Sequence, residues 1–283
     1  MPTLNLTAGT IDYTDTGGEG PVLLMLHGVN MDASLWRNVV AELRPTYRCI
    51  APTLPLGSHR YPMDRADLVT HRGVAALVGE LVEALDLEAV TLVVNDWGGA
   101  QFLLADGPND RLAAAALVAC EAFDNFPPGR PGKAVAASAR VPGLLWLSMQ
   151  LQRFAWFRRA PGAWGWMSKR AIPQQVMDGW FEPALRNPAV RRDLRTFALS
   201  TPSRAELRRL AESLPGFDRP VLVVWAREDK LMPREHGPRL ADLFPRGRLV
   251  EIDDSYTLVP EDQPQRLAEE LARFVADVGT TTS

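Results

Sequence analysis

Residues 90–99 read VTLVVNDWGG, and this stretch decides the fold. Val90–Val94 form a short run with no polar face, as a strand covered on both sides requires. Past Asn95-Asp96-Trp97 the pair Gly98-Gly99 opens a helix that continues to about Ala105. A strand that turns at once into a helix, with small residues just after the turn, exposes one side chain at the end of a sheet. Here that apex residue is Asp96. An Asp at a helix start can also be a simple cap, so its companions elsewhere in the chain must decide its role.

Working outward, other short apolar runs alternate with longer amphipathic ones. Val22–Leu26 reads as a strand, followed by a helix capped by Ser34 that runs to about Leu43. Arg48–Ala51 and Ala113–Ala119 read as further strands. A helix opening near Asp67 carries Val69, Val74, Leu77, Val78, Leu81, Val82 and Leu85 at helical spacing. From about Phe126 to Leu214 the alternation stops, and the chain is helical, aromatic and broken by Pro142, Pro161, Pro173, Pro188 and Pro202. It resumes with Val221–Trp225, a helix over Arg234–Leu243, Leu249–Ile252 and a final helix over Gln263–Val275, before a TTTS end expected to fray. Strands alternating with helices imply an α/β fold, a mostly parallel sheet with helices on both faces. Residues 1–125 and 215–283 are expected to form its core, and 126–214 an inserted helical cap.

The chain has 283 residues, 46% apolar and 23% charged, enough to bury a large core and too apolar for disorder. A formal charge of −3 and the lack of any Lys/Arg run predict no nucleic-acid partner and no membrane partner. No apolar stretch approaches the 18 residues of a membrane-spanning helix, and the opening MPTLNLTAGT lacks the charged-then-apolar pattern of a secretory leader, so a soluble protein is expected. Cys49 and Cys120 lie in strand-like runs, which predicts free structural thiols and a cytoplasmic setting. No motif calls for a cofactor or a metal. Edge strands and apolar cap surface offer material for a homodimer.

Ligands of parallel sheets bind at the carboxyl ends of the strands, so those tips carry the chemistry. His27-Gly28 ends the strand expected beside the Asp96 strand, Asp229 follows VLVVW, and Tyr256 follows the last strand. With these parts in this order, from HG at 27 through NDWGG and REDKLMP to DSYTLVPEDQP, the chain resembles the α/β-hydrolase superfamily. The resemblance is to its aspartate-nucleophile branch, which includes haloalkane dehalogenases and soluble epoxide hydrolases. It implies that Asp96 is the nucleophile, Asp229 the acid, and the backbone N–H groups of Val29 and Trp97 the oxyanion hole. A carboxylate displaces a leaving group at tetrahedral carbon to give an alkyl-enzyme ester; water then attacks that ester's carbonyl.

In that branch a histidine after the last strand activates the water. The residue read at its position here is Tyr256. The four histidines, His27, His59, His71 and His236, all lie elsewhere and are expected to be structural or at the surface. A phenol is only about 0.1% ionised at pH 7, so Tyr256 is a poor base and a good neutral donor. It would donate to a departing oxygen, or another carboxylate would activate the water, or the ester would stall. Glu121, at the tip of the fourth strand, is the candidate second carboxylate, at about the tip where some relatives carry their acid; the alternative is a solvated loop residue.

Five of the eight tryptophans, Trp146, Trp156, Trp164, Trp166 and Trp180, fall in the cap, and no tyrosine does. They suggest an aromatic-lined apolar pocket, with Trp180 as the one facing the cavity. Trp97 matches a halide-holding tryptophan, whereas the Asn expected right after HG is displaced to Asn30. The expected function is therefore opening of an epoxide on an apolar, bulky small molecule, with Tyr256 assisting. Haloalkane dehalogenase chemistry, a catalytically silent binding protein and a variant that traps the ester are the alternatives.

Overall fold

The computed structural model describes residues 1–106 and 110–281. Eight strands form one sheet: β1 Thr3–Leu6, β2 Gly9–Asp15, β3 Val22–Leu26, β4 Arg48–Pro52, β5 Val90–Asp96, β6 Leu112–Cys120, β7 Val221–Ala226 and β8 Gly247–Ile252. Their order is β1-β2-β4-β3-β5-β6-β7-β8, parallel from β4 to β8, with β1 and β2 antiparallel at one edge. This is an α/β hydrolase fold. β5 is central and buried at every residue; each fully buried Val or Leu in it contributes roughly 1.5–3 kcal/mol.

The helices around the sheet are α1 Arg37–Leu43, α2 His71–Ala84, α3 Gln101–Ala105, then α4 Gly129–Arg140 and α5 Leu144–Leu151. They continue with α6 Ala155–Arg158, α7 Gln174–Arg186, α8 Pro188–Leu199, α9 Arg204–Ser213, α10 His236–Leu243, α11 Val259–Asp262 and α12 Pro264–Thr281. Among the described residues no strand forms between β6 and β7; α4 to α9 fill that interval. These inserted helices have a small apolar cluster of their own, Leu145, Met149, Ala184, Val190 and Leu194, beside the main core.

Four differences from the sequence reading have local causes. Asp32, not Ser34, caps the turn that leads into α1, its Oδ1 accepting from Ser34 N–H at 2.8 Å. The β1–β2 hairpin goes unread because its half-exposed edge strands lack a continuous apolar run. α2 starts at His71, not near Asp67, because Thr70 caps it, its Oγ1 accepting from Gly73 N–H at 2.9 Å. α12 runs through Thr280 and Thr281, part of the end expected to fray, and residues 282–283 lie outside the described ones.

The parallel register sets the strand tips at one edge. Leu26 of β3 pairs with Val94 of β5, and Asp96 pairs with Cys120 after a register shift between Asn95 and Asp96. His27, Asp96 and Glu121 therefore emerge together.

Candidate active site

The turn after β5 holds Asp96 at φ +67°, a left-handed backbone rare for a residue with a side chain. Trp97 N–H donates to Asn95 O at 2.8 Å and closes the turn tightly around Asp96. Two glycines make room. A Cβ on Gly28 would stand 2.0 Å from Asp96 Oδ2, and one on Gly98 would stand 2.3 Å from Glu121 O. HG and NDWGG are thus two halves of one packing solution that presses the backbone against the Asp96 carboxyl.

Asp96 is buried, and its Oδ1 has no hydrogen-bond partner. Burial pushes its pKa up to about 7, the nearby Asp229 adds to the rise, and the Val29 N–H opposes it by favouring the anion. The Val29 N–H thus already faces the carboxyl where an oxyanion would form. The Trp97 N–H is committed to Asn95. Beside Asp96, Glu121 is also buried; its Oε2 accepts from Gly98 N–H at 3.1 Å, and burial and Asp96 raise its pKa well above the usual carboxylate range.

Asp229 follows β7. Its Oδ1 accepts from Leu231 N–H, Met232 N–H and Thr257 Oγ1 at 2.8, 2.9 and 2.8 Å, while its buried Oδ2 has no partner. Burial raises its pKa to about 6 against the pull of those donors. The expectation that Tyr256 would face Asp229 is corrected here by one residue: the partner is Thr257. Asn95 Nδ2 holds the carbonyl of Thr257 at 2.8 Å, linking this loop to the base of the elbow. Tyr256 turns away, with Lys169 Nζ and Lys230 Nζ 5.7 and 5.4 Å from its ring, and does not line the cavity. Asp262 fixes this register, accepting from Tyr256 N–H at 2.9 Å and also holding Ser168 and Lys169. Spacing from a strand cannot resolve a one-residue slip in an irregular loop.

None of the histidines stands between Asp229 and Asp96. His27 donates from Nδ1 to Gly28 O and accepts Leu54 N–H at Nε2, so it is neutral; burial takes its pKa down to about 4. His59 pairs with Asp193 at 3.1 Å, and His236 lies 3.7 Å from Asp124. His71 is buried against Phe197, ring centroids 4.1 Å apart, and also lines the cavity, with burial lowering its pKa to about 3. The Thr70 cap, which starts α2 at His71, was the signal that would have found it.

The cavity has a volume of about 210 Å³. Asp96, Glu121, Val29, Asn30 and His71 line one side, and the segment between β6 and β7 supplies the rest together with Leu231. That far wall is proline, alanine and methionine more than aromatic, with Phe157, Trp164 and Phe197 as its rings. Trp180 does not reach it. Its Nε1 donates to Asp32 Oδ1 at 3.1 Å and Ser34 Oγ at 2.9 Å, and its carbonyl accepts from Ser58 Oγ at 2.7 Å. It therefore ties α7 to the loops after β3 and β4 rather than facing a ligand. Trp97 packs its indole over Gly99, with Nε1 buried and unpartnered, and does not line the cavity. Asn30 lines it at φ +55°, its Oδ1 also without a partner.

A model of the alpha/beta hydrolase family matches residues 23–270. The chain belongs to that family. Haloalkane dehalogenase 2 of Mycobacterium tuberculosis is 28% identical over 92% of this chain and 89% of its own length. A cis-3-alkyl-4-alkyloxetan-2-one decarboxylase of Xanthomonas campestris is 26% identical over 94% and 92%. A soluble epoxide hydrolase of Corynebacterium is 39% identical over 30% of this chain and 29% of its own. Among solved structures, a putative ancestral haloalkane dehalogenase superposes with a TM-score of 0.79 at 21% identity, over 99% of this chain and all of that one. The protein is thus a hydrolase-family chain related at low identity to haloalkane dehalogenases and epoxide hydrolases.

Proposed function

We propose that the protein opens an epoxide on an apolar small molecule, with Asp96 attacking carbon and Glu121 supplying the proton. The observation that carries this reading is the pairing of two buried carboxyl groups on one cavity: Asp96 at the strained apex, and Glu121 with its pKa held well above the ordinary range. An epoxide oxygen leaves as an alkoxide and needs a proton. Tyr256, turned away from the cavity, cannot give it; a protonated Glu121 can.

In the first step the Asp96 carboxylate forms a bond to an epoxide carbon. The ring C–O bond breaks, its electron pair goes to the oxygen, and that oxygen takes the Glu121 proton, leaving a hydroxyalkyl ester. In the second step water attacks the ester carbonyl, whose oxyanion faces the Val29 N–H. The Trp97 N–H joins it once its bond to Asn95 is released. Thr257 offers no imidazole to activate that water, so Asp229, with its free Oδ2, is the remaining base, and hydrolysis of the ester limits turnover.

A second reading, halide release from an alkyl halide, is favoured by the likeness to haloalkane dehalogenase 2 of Mycobacterium tuberculosis over 92% of this chain. Incubation with an aryl epoxide and, separately, an alkyl bromide distinguishes the two. Diol, or an adduct carrying the whole mass of the epoxide, supports the leading reading if Asp96→Asn abolishes it. Bromide release without diol supports the second. If an apolar ligand binds tightly while neither compound reacts, the protein is a binding module on this fold.

A further inference from the structure

Nine large apolar side chains are strongly exposed among the described residues, and six of them fall between residues 141 and 156: Val141, Leu144, Trp146, Leu147, Phe154 and Trp156. Trp156 is 68% exposed and Trp146 49%. Buried Trp is the norm elsewhere in the chain, as with Trp36, Trp97, Trp180 and Trp225. The patch has a structural origin in α5, whose sequence LLWLSMQL is apolar on nearly every side. Leu145 and Met149 point inward to the small core of the inserted helices, and Ser148, Met149 and Gln152 line the cavity. Leu144, Trp146 and Leu147 are left facing out, and Phe154 and Trp156 continue the surface around α6. Leu144 and Leu147 are one helical turn apart, the rings of Phe154 and Trp156 stand 6.3 Å apart, and exposed apolar side chains gathered in this way mark an interaction site.

Charge identifies the partner. From Asn125 to Met177 the chain carries eight of its 31 basic residues and none of its 34 acidic ones. Three of the eight are neutralised: Arg158 by Asp178 at 2.7 Å, Lys169 by Glu228 at 2.9 Å and Arg170 by Asp254 at 2.8 Å. The other five, Arg130, Lys133, Arg140, Arg153 and Arg159, are exposed and have no carboxylate within 4.0 Å. Arg140, Arg153 and Arg159 lie next to or within three residues of Val141, Phe154 and Trp156. The net charge of −3 conceals this asymmetry.

We propose that the α5–α6 face of the inserted helices docks on an anionic lipid surface. Exposed tryptophan and phenylalanine beside arginine, on short helices too small to span a bilayer, match the chemistry of the boundary between headgroups and acyl chains. No helix among the described residues is long and apolar enough to cross a membrane. A second copy of this chain fits the patch less well, because a symmetric contact would set five unpaired cations against five. Nucleic acid would satisfy the arginines but offers no apolar depth for Leu144 and Leu147. The docked face and part of the cavity wall belong to the same two helices, α5 lining the cavity through Ser148 and Met149 and α6 through Phe157. Docking itself is independent of the chemistry assigned to Asp96.

Co-sedimentation of the full chain with phosphatidylcholine vesicles, with and without phosphatidylglycerol, tests this. Strong binding is expected only when phosphatidylglycerol is present, with a blue shift of tryptophan emission on binding and loss of both at about 0.5 M salt. Arg153→Ser with Arg159→Ser lowers partitioning at least about tenfold, since each cation near such a surface contributes about fivefold. Phe154→Ser with Trp156→Ser lowers it comparably and removes most of the blue shift. All four substitutions are at exposed positions, and an unchanged melting temperature separates lost docking from lost fold. The salt dependence of the unaltered chain tests the proposal without any variant. Equal binding to both lipids, or no binding to either, overturns it; so does a concentration-dependent dimer that these substitutions dissociate.

Discussion

The strand tips and the inserted helices meet at one cavity, yet they handle their polar groups in opposite ways. At the tips, Asp96 and Glu121 are buried and Asp229 half-buried, Asp96 and Asp229 each keep one carboxyl oxygen without a hydrogen-bond partner, and the pKa values of all three rise because water is excluded. On the inserted helices, five cations stand in solvent with no counter-ion, beside tryptophans that would be buried anywhere else in the chain. Unpaired groups that are buried cost stability and persist where chemistry needs them; unpaired groups that are exposed cost little and recruit partners. On the proposed reading, the same chain keeps reactivity on the sheet and recognition on short helices.

The sharpest way to break this division is to remove the apex carboxylate. Asp96→Asn is expected to lower reaction with an aryl epoxide on the order of 10⁴-fold or more, measured as single-turnover ester formation. Reaction at an undiminished rate would place the chemistry elsewhere. Next in size, Thr257→His sets an imidazole against Asp229 and is expected to speed hydrolysis of the ester by about 10²–10⁴-fold while leaving its formation little changed. No gain would mean that the loop fixed by Asp262 cannot aim a base at Asp96.

The pH dependence sharpens the contrast in two ways. Ester formation needs Asp96 ionised and Glu121 protonated, so its rate should rise as Asp96 ionises about pH 7 and be limited where Glu121, its pKa raised by burial and by Asp96, gives up its proton; Glu121→Gln should lower the rate and remove that limit. Stability moves in the other direction. The folded-state pKa of Asp96 lies above its unfolded value of 3.8, so between about pH 4 and pH 7 the native state holds more protons than the unfolded state. Stability therefore falls as pH rises through that window and stays low above it. Asp96→Asn is accordingly expected to raise the melting temperature by several degrees at about pH 8 and hardly at all at about pH 4; equal shifts at both would show that the carboxyl is not strained by burial. The smallest effect belongs to Trp180→Phe. It removes the indole bonds to Asp32 and Ser34, costing roughly 1–3 kcal/mol in thermal unfolding, and should leave ester formation within about twofold, because that ring is not in the cavity.

The elbow, the tips and the interruption of the sheet were legible in the sequence because each leaves a local mark: VTLVV before NDWGG, HG after VLLML, and a long stretch without a strand-like run. Three parts were not, for separate physical reasons. Tyr256 and Thr257 are adjacent in a loop whose register is fixed by Asp262 and Ser168, contacts that periodicity does not encode. Trp180 looks like a pocket residue by type, but its indole partners lie almost 150 residues away. The basic character of the inserted helices vanishes in a whole-chain charge, because acidic residues elsewhere cancel it.

Single turnover in ¹⁸O-labelled water, with enzyme in excess over an aryl epoxide, most directly tests the central claim that Asp96 attacks carbon. If Asp96 forms the ester and water cleaves it at the carbonyl, the first diol released carries no label, and the peptide containing Asp96 gains one ¹⁸O. Label in that first diol, with none in the peptide, would mean that water attacks the epoxide directly, and the nucleophile assigned here would be wrong.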